Sequence, residues 1–331
     1  MQKILICGYY GAGNLGDEAI LSAMIADLLR NRADLEFIVT SFNPPETSKQ
    51  HNVQAILYND LPALVSAAKD CDLFILGGGG LFHDYWEVSE DDLLAQRHLG
   101  LSFYCSSLLL TKLFNKPCMI YSVGVGPLFH DSGKRLTKIC FENADSASVR
   151  DIESRQVLDN LSINTEKVSL LADPAFSLKP DFDKSTTILN FLDLVDKPVL
   201  GVCLRNWDVD VSAQAWQSEV ASALDRFAST YDVHILFIPF QISSADILVN
   251  DLKVAENVLS MMTHAQQTTI LPGEHSPAVI TGVLAGCQIV LGMRLHSVIL
   301  ASISSVACSR CNALILLYLS VARLGLEDYC L

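Results

Sequence analysis

Apolar residues come in short unbroken runs, separated by longer stretches in which they recur every three or four positions. The runs at 3–7, 35–40, 54–57, 73–76, 118–123, 146–149 and 168–171 read as strands. They are apolar at successive rather than alternate positions, as in parallel strands covered on both faces. Helical spacing fills the intervals at 17–30, 61–69, 92–114, 133–143 and 153–161. From Pro174 to Lys197 the rhythm breaks, with prolines, mixed charge and one weak helix. It then restarts, with strands at 199–204, 234–238, 269–271, 288–291 and 314–318 and helices at 213–230, 245–262, 276–285 and 295–302. The expectation is an α/β protein of two doubly wound, Rossmann-like domains facing across a cleft. They span 1–180 and 198–331, with 181–197 as linker. Ligands in such sheets bind beyond the carboxyl ends of the strands.

Composition narrows the function. Half of the 331 residues are hydrophobic and 18% are charged, enough apolar material for two cores. A net charge of −14 argues against a nucleic-acid partner, but leaves room for small anions held by a few arginines. The start of the chain lacks the apolar h-region of a signal peptide, and the apolar stretches 297–308 and 312–322 fall short of the ~18 residues a membrane span needs. A cytoplasmic location is expected. Ten cysteines are scattered without a disulfide framework, and Cys308 and Cys311 form a lone pair with no second ligand pair, so no metal is expected.

The chemistry gathers at predicted strand ends. After the first strand, Gly11-Ala12-Gly13-Asn14-Leu15-Gly16 reads G-x-G-x-x-G and opens a helix. A nicotinamide-cofactor reading fails, because the second strand ends Thr40-Ser41-Phe42-Asn43 without an acid for the ribose, and Asp17 would face a pyrophosphate. A tight turn with Asn14 or Asp17 capping the helix is the structural alternative. Gly77, Gly78, Gly79 and Gly80 follow the fourth strand, and Gly124 and Gly126 end a third. Glycine at three strand ends leaves bare backbone N–H groups for an anion. Arg150, Arg205, Arg294 and His296 follow other strands, a set suited to phosphate and carboxylate. Ion pairing with the many acidic residues is the alternative for the arginines, and packing on its helix for His296. Asp84, Asp173 and Gln241 add polar groups at further strand ends.

Six motifs occur in order: Gly13-Asn14-Leu15-Gly16-Asp17-Glu18, the glycine run, Ser122-Val123-Gly124-Val125-Gly126-Pro127, Ser148-Val149-Arg150-Asp151, Ala172-Asp173-Pro174-Ala175 and Gly292-Met293-Arg294-Leu295-His296. Together they resemble the polysaccharide pyruvyl transferase family, especially the bacterial branch that modifies cell-wall polymers anchoring surface layers (S-layers). The resemblance implies a fold like the two-domain GT-B glycosyltransferases. It implies transfer of the pyruvyl group of phosphoenolpyruvate to two hydroxyls of one sugar, giving a cyclic ketal and phosphate, with no cofactor. The implied acceptor is a diphosphate- or lipid-linked sugar similar to an N-acetylmannosamine-containing disaccharide. A lipid-linked acceptor would bring the protein transiently to the inner membrane face, although no amphipathic helix stands out. An oligomer is compatible with the sequence.

The resemblance carries the family's arginine and histidine to Arg150 and His296, with Arg294 beside the latter. His296 is the expected general acid/base, because its pKa lies near working pH, or else a phosphate binder. Gly13, Asn14, Asp17, Gly78, Gly79, Gly80, Asp84, Gly126, Arg205 and Gln241 are the expected substrate-binding residues, with Asp17 or Asp84 orienting acceptor hydroxyls. The chain departs from the family where a lysine usually follows the last strand. It reads Leu317-Tyr318-Leu319-Ser320 there, and no lysine follows Lys253. A divergent enzyme and an altered or shortened C-terminal region both remain open. So do a nucleotide-sugar glycosyltransferase or epimerase on the same scaffold and a non-catalytic anion-binding relative.

Overall fold

The computed structural model describes residues 1–85, 88–94, 100–207, 212–242 and 250–310. The chain divides into two compact units. Unit 1 comprises Met1–Ala12 and Asp17–Ser177, and unit 2 comprises Gly13–Gly16 with the chain from Leu178 onward.

Unit 1 is built on seven parallel strands: β1 (Gln2–Cys7), β2 (Leu35–Ser41), β3 (Gln54–Leu57), β4 (Leu73–Phe82), β5 (Cys118–Val125), β6 (Ser146–Val149) and β7 (Val168–Leu170), in the order β3-β2-β1-β4-β5-β6-β7. The order reverses between β1 and β4, and the loops leaving those strands flank the switch point where such sheets bind ligands. Helix α1 (Leu15–Asn31) covers one face, packing Leu21, Met24 and Ile25 against Ile4, Ile6, Val39 and Ile75. The other face is covered by α3 (Leu61–Asp70), α4 (Leu101–Leu113) and α5 (Asp131–Asn143), which bring Leu64, Leu108 and Leu136 onto Leu5, Phe74 and Ile120. Each such fully buried side chain contributes about 1.5–3 kcal/mol. The intervening α2 (Pro44–His51) escapes the hydrophobic pattern. Its sequence PPETSKQH has no apolar stripe, and it is fixed instead by Asn43, whose Oδ1 accepts the Glu46 N–H at 3.4 Å, and by buried Thr47. Helix α6 (Ile152–Asn160) follows β6, and Asp151 Oδ1 caps it by accepting the Ser154 N–H at 2.7 Å.

Among the described residues, unit 2 has five parallel strands: β8 (Val199–Cys203), β9 (His234–Phe237), β10 (Thr268–Ile270), β11 (Ile289–Gly292) and β12 (Ala307–Arg310), ordered β10-β9-β8-β11-β12. Its switch point lies between β8 and β11. Trp216, Val220 and Leu224 of α8 (Ala213–Thr230) and Val254 and Val258 of α9 (Asp251–Met261) pack on Val202, Ile235 and Phe237.

Several expected elements shift. The segment 181–197 is not a bare linker. It carries α7 (Phe182–Phe191), which packs on α10 (Pro277–Ala285), where a Cβ on Gly282 would sit 2.3 Å from Ser185 Oγ. The boundary falls at Ser177 and Leu178. The expected helix 92–114 begins only at Leu101, preceded by one 3-10 turn at Glu90–Asp92, and residues 95–99 lie outside the described residues. In 245–262, only Asp251–Met261 is described as helix, since 243–249 lie outside. The last helix among the described residues, α11 (Leu295–Ile303), leads into β12, where the sequence suggested no strand; the strand expected at 314–318 falls outside the described residues.

Candidate functional site

Within unit 1 the chain leaving β1 turns at Gly11, whose φ is +74°. A Cβ there would fall 2.0 Å from Ser41 Oγ, so glycine is required twice over, by dihedral and by space. The Gly11 N–H donates to Glu18 Oε1 at 2.7 Å, and Glu18 Oε2 lies 2.8 Å from His51 Nε2 in a nearly water-free pair. Glu18 closes the first sequence motif without a role assigned to it there, and His51 lies outside all six motifs. Tyr10 donates its hydroxyl to the Gly77 carbonyl. Burial, reinforced by Asp17, Cys7, Glu18 and Asp173, holds that phenol well above its ordinary pKa.

The glycine run is not the open loop the sequence suggests. Strand β4 continues through it to Phe82, and Gly77, Gly78 and Gly79 are buried. Their lack of side chains lets α1 approach. A Cβ on Gly78 would lie 2.0 Å from Ile20 Cγ2, and one on Gly79 would lie 2.6 Å from Asp17 Oδ1. Gly78 and Gly79 are therefore packing positions, whereas Gly80 is exposed.

Gly80 lines a cavity of about 310 Å³ at the carboxyl ends of β4, β5 and β6, shared with Gly124, Gly126, Pro127, Arg150 and Glu153. The Arg150 guanidinium lies flat over Gly124, where a Cβ would be 2.8 Å from Nη2 and 2.9 Å from Nε. Arg150 Nη1 donates to Asp173 Oδ2 at 3.1 Å, and Asp173 Oδ1 accepts the Ala175 N–H at 3.0 Å. Arg150 Nε has no hydrogen-bond partner among the described residues. The guanidinium, held along one edge by Asp173 and with its buried Nε 3.6 Å from Asp151 Oδ2, lines a glycine-walled cavity at the start of α6, where it can receive an anion beside the carboxylates of Asp151 and Glu153.

Asp84 takes a different role from the one expected. It is fully buried, and its two oxygens accept the Phe129 and His130 N–H groups at 2.6 and 2.8 Å. Gly133 makes room for it, since a Cβ there would sit 2.4 Å from Asp84 Oδ2. Asp84 ties the loop after β4 to the loop after β5, and both its oxygens are engaged in doing so.

Within unit 2, Gly13–Gly16 pair with the loop after β9. Asn14 bridges Gln241 in antiparallel fashion, and the Leu15 N–H donates to the Phe240 carbonyl at 2.9 Å. Asn14 occupies the position before α1, and its Oδ1 accepts the Gly16 N–H at 3.1 Å, the capping alternative read from the sequence. Gly16 faces His296: a Cβ there would fall 2.3 Å from Nδ1. His296 stands in the first turn of α11, just after β11.

Arg294, expected beside His296 as a catalytic cation, is a brace. Its Nε and Nη2 donate to the two oxygens of Asp251 at 3.0 and 2.7 Å, and Nη2 also donates to Gln241 Oε1 at 3.2 Å. Asp251 also accepts the Phe240 and Gln241 N–H groups at 3.1 and 3.0 Å. Burial raises the Asp251 carboxyl above its ordinary pKa against the pull of Arg294 and Arg205. Gln241 is buried in the same network. Nothing in the local sequence Asn250-Asp251-Leu252 distinguishes Asp251 from a surface acid opening a helix. Arg205, just after β8, places its guanidinium carbon 5.3 Å from the centre of the Trp207 ring.

The family model for polysaccharide pyruvyl transferase matches residues 14–309. The chain belongs to the polysaccharide pyruvyl transferase family. It is accordingly a transferase. Among relatives, it is 24% identical to the amylovoran biosynthesis protein AmsJ of Erwinia amylovora, across 91% of this chain and 80% of that protein. In fold it is similar to the UDP-GlcNAc 2-epimerase of Methanocaldococcus jannaschii, with a TM-score of 0.63, 12% identity and coverage of 100% of this chain and 94% of that one. It is likewise similar to MnaA of S. aureus solved with UDP, with a TM-score of 0.58, 11% identity and coverage of 89% and 74%. Identities this low establish the GT-B-like fold alone. The pyruvyl transferase match includes Arg150 and His296 as well as the brace Asp251–Arg294. The stretch where the family lysine was expected, 317–320, lies outside the described residues. Among those residues no helix is long and apolar enough to cross a membrane.

Proposed function

We propose that this polysaccharide pyruvyl transferase uses phosphoenolpyruvate as donor and a sugar diol, carried on a diphosphate- or lipid-linked polysaccharide precursor, as acceptor. The observation that carries the reading is Arg150. One edge is held by Asp173, and the residue lines a cavity walled by Gly80, Gly124 and Gly126. A guanidinium and bare backbone suit a compact donor bearing a carboxylate and a phosphate. Glycine at 124 keeps the guanidinium face clear, and the start of α6 adds the positive end of its dipole.

The reaction balances without a redox partner. C3 of the enol takes a proton, leaving an oxocarbenium-like C2. One sugar hydroxyl adds there and gives up its proton. The second hydroxyl then forms the other C2–O bond as the C2–O bond to phosphate breaks, and its proton leaves with the phosphate. His296 is the acid/base in this scheme, since an imidazole exchanges protons near neutral pH. Asn14 and Gly16 fix the backbone against which its ring rests. Arg294 acts through Asp251 and Gln241, holding the loop after β9.

Calorimetric titration with phosphoenolpyruvate tests the donor assignment. Wild type is expected to bind, and Arg150→Ala to weaken binding by about a hundredfold, as expected when a charge-assisted contact is removed. Equal affinity of wild type and Arg150→Ala would remove Arg150 from the donor site.

A further inference from the structure

Ser122, in the middle of β5, is fully buried and has φ +49°, the left-handed region that glycine enters freely and other residues do not. On β4, Gly77 pairs with Tyr121 and Gly79 with Val123, so Ser122 stands opposite Gly78, whose φ is +61°. Glycine meets the conformation on one strand of this pair and serine on the other. Toward β6 the register slips: Ile120 pairs with Ala147 and Val123 with Val149, one residue more on β5 than on β6. The bulge restarts the pleat, since Ile120 and Val123 both enter the core covered by α4 and α5 although an odd number of residues apart. Gly124 is thereby turned the other way, against the Arg150 guanidinium.

The polar atoms of Ser122 reach the strand ends on which Arg150 and its carboxylate partner stand. Its N–H, displaced from the ladder by the bulge, donates to Ser148 Oγ at 2.8 Å. Its own Oγ donates to the Ala172 carbonyl at 2.8 Å. Ala172 immediately precedes Asp173, whose Oδ2 accepts from Arg150 Nη1 and whose Oδ1 accepts the Ala175 N–H. Val123, the residue after Ser122, accepts the Arg150 N–H at 3.1 Å. The backbone of Arg150, the glycine against its guanidinium and the backbone beside Asp173 thus all meet at one buried serine. We infer that Ser122 is a positioning residue for Arg150, setting through Ala172 and Asp173 the direction in which the guanidinium faces the cavity. Glycine at 122 would supply the bulge without strain, as Gly78 does across the strand pair, but would leave the Ala172 carbonyl untied. The hydroxyl is what a strained serine adds. That the positioned guanidinium serves phosphoenolpyruvate rests on the donor reading above; that Ser122 positions it does not.

Ser122→Gly removes the hydroxyl and keeps the bulge, and two measurements on it separate position from stability. The first is solvent exchange of the Arg150 Nε–H proton in the free protein, followed by NMR and assigned by its absence in Arg150→Ala. Ser122→Gly is expected to quicken that exchange about three- to tenfold, the size of one hydrogen bond. The second is phosphoenolpyruvate affinity. Ser122→Gly should weaken it by a similar factor when Arg150 is present and leave it unchanged in an Arg150→Ala background, because the effect passes through that side chain. The melting temperature should move little, since relief of the left-handed serine offsets the lost hydrogen bond. Ser122→Ala, which keeps the Cβ and loses the hydroxyl, should reproduce both changes. Exchange indifferent to both variants would overturn the inference. So would equal weakening of donor binding with and without the Arg150 side chain, the mark of general loosening. Faster exchange with phosphoenolpyruvate affinity indifferent to Arg150→Ala would leave the inference standing and sink the donor assignment, so the two failures are distinguishable.

Discussion

Substituting Gly16 by alanine moves His296 without deleting it. The new Cβ would lie 2.3 Å from Nδ1, 2.5 Å from Cγ and 2.8 Å from Cβ of the imidazole side chain, against an ordinary contact of 3.4 Å or more. The ring must therefore retreat by about 1 Å, a displacement that can cost on the order of a hundredfold in rate when the group handles protons. Stability should move much less. Gly16 lies in the first turn of α1, where alanine gains up to about 1 kcal/mol in helix propensity, while overpacking costs about 1–3 kcal/mol. The net is a loss of at most about 3 kcal/mol, a shift of a few degrees in Tm. The assay is phosphate release from phosphoenolpyruvate with saturating acceptor, followed as kcat and KM separately. Gly16→Ala is expected to lower kcat nearly as far as His296→Ala, with the donor KM changed little. Full kcat with an unchanged KM in Gly16→Ala would show that the position of His296 is immaterial. A rise in KM at constant kcat would make His296 a phosphate binder rather than an acid/base.

Other outcomes follow from the packing. Asp251→Ala strands the buried Arg294 guanidinium and two backbone N–H groups, and should cost about 3–5 kcal/mol in urea unfolding; a loss below about 1 kcal/mol would refute the brace. Gly78→Ala combines a φ of +61° with a 2.0 Å approach to Ile20 and should cost about 3 kcal/mol. Gly80→Ala, whose nearest neighbour would be Arg150 Nη2 at 3.5 Å, should be nearly neutral, and thermal melts of the two compare them directly. Asp145 accepts the Cys118 N–H and the Lys112 ammonium, and its pKa is lowered by those bonds, the Cys118 contact first. A carboxyl lowered in the folded state stabilises above its unfolded value of 3.8, and that contribution drains as pH falls below it. Wild type should thus melt above Asp145→Asn at neutral pH, with the gap closing in acid; a constant gap would remove the linkage.

The strands were legible because burial on both faces leaves successive apolar residues, as at Ile4-Leu5-Ile6-Cys7, where all four are buried. Helix α2 was not, since its polar residues are fixed by Asn43 and Thr47 instead of an apolar face. The glycine run shows how composition misleads about location. Four glycines look like a ligand loop, but three serve the packing of α1 against β4 and only Gly80 opens on the cavity. Arg150 and His296 stood out because few cations follow strands in so acidic a chain. Arg294 stood out for the same reason and proved to be a brace, because its partner Asp251 is 43 residues distant in sequence. Asp84 was legible as a polar group at a strand end, but its role depends on two N–H groups from another loop.

The central claim is that this chain joins the pyruvyl group of phosphoenolpyruvate to a sugar diol, with Arg150 holding the donor. Phosphate release measured with and without an N-acetylmannosamine-containing diphosphate acceptor, in wild type and Arg150→Ala, tests it most directly. Acceptor-dependent release by wild type, with a ketal-bearing product and loss of both in Arg150→Ala, is the predicted result. Phosphoenolpyruvate binding without release would contradict the proposed transfer, and release undiminished in Arg150→Ala would contradict the site.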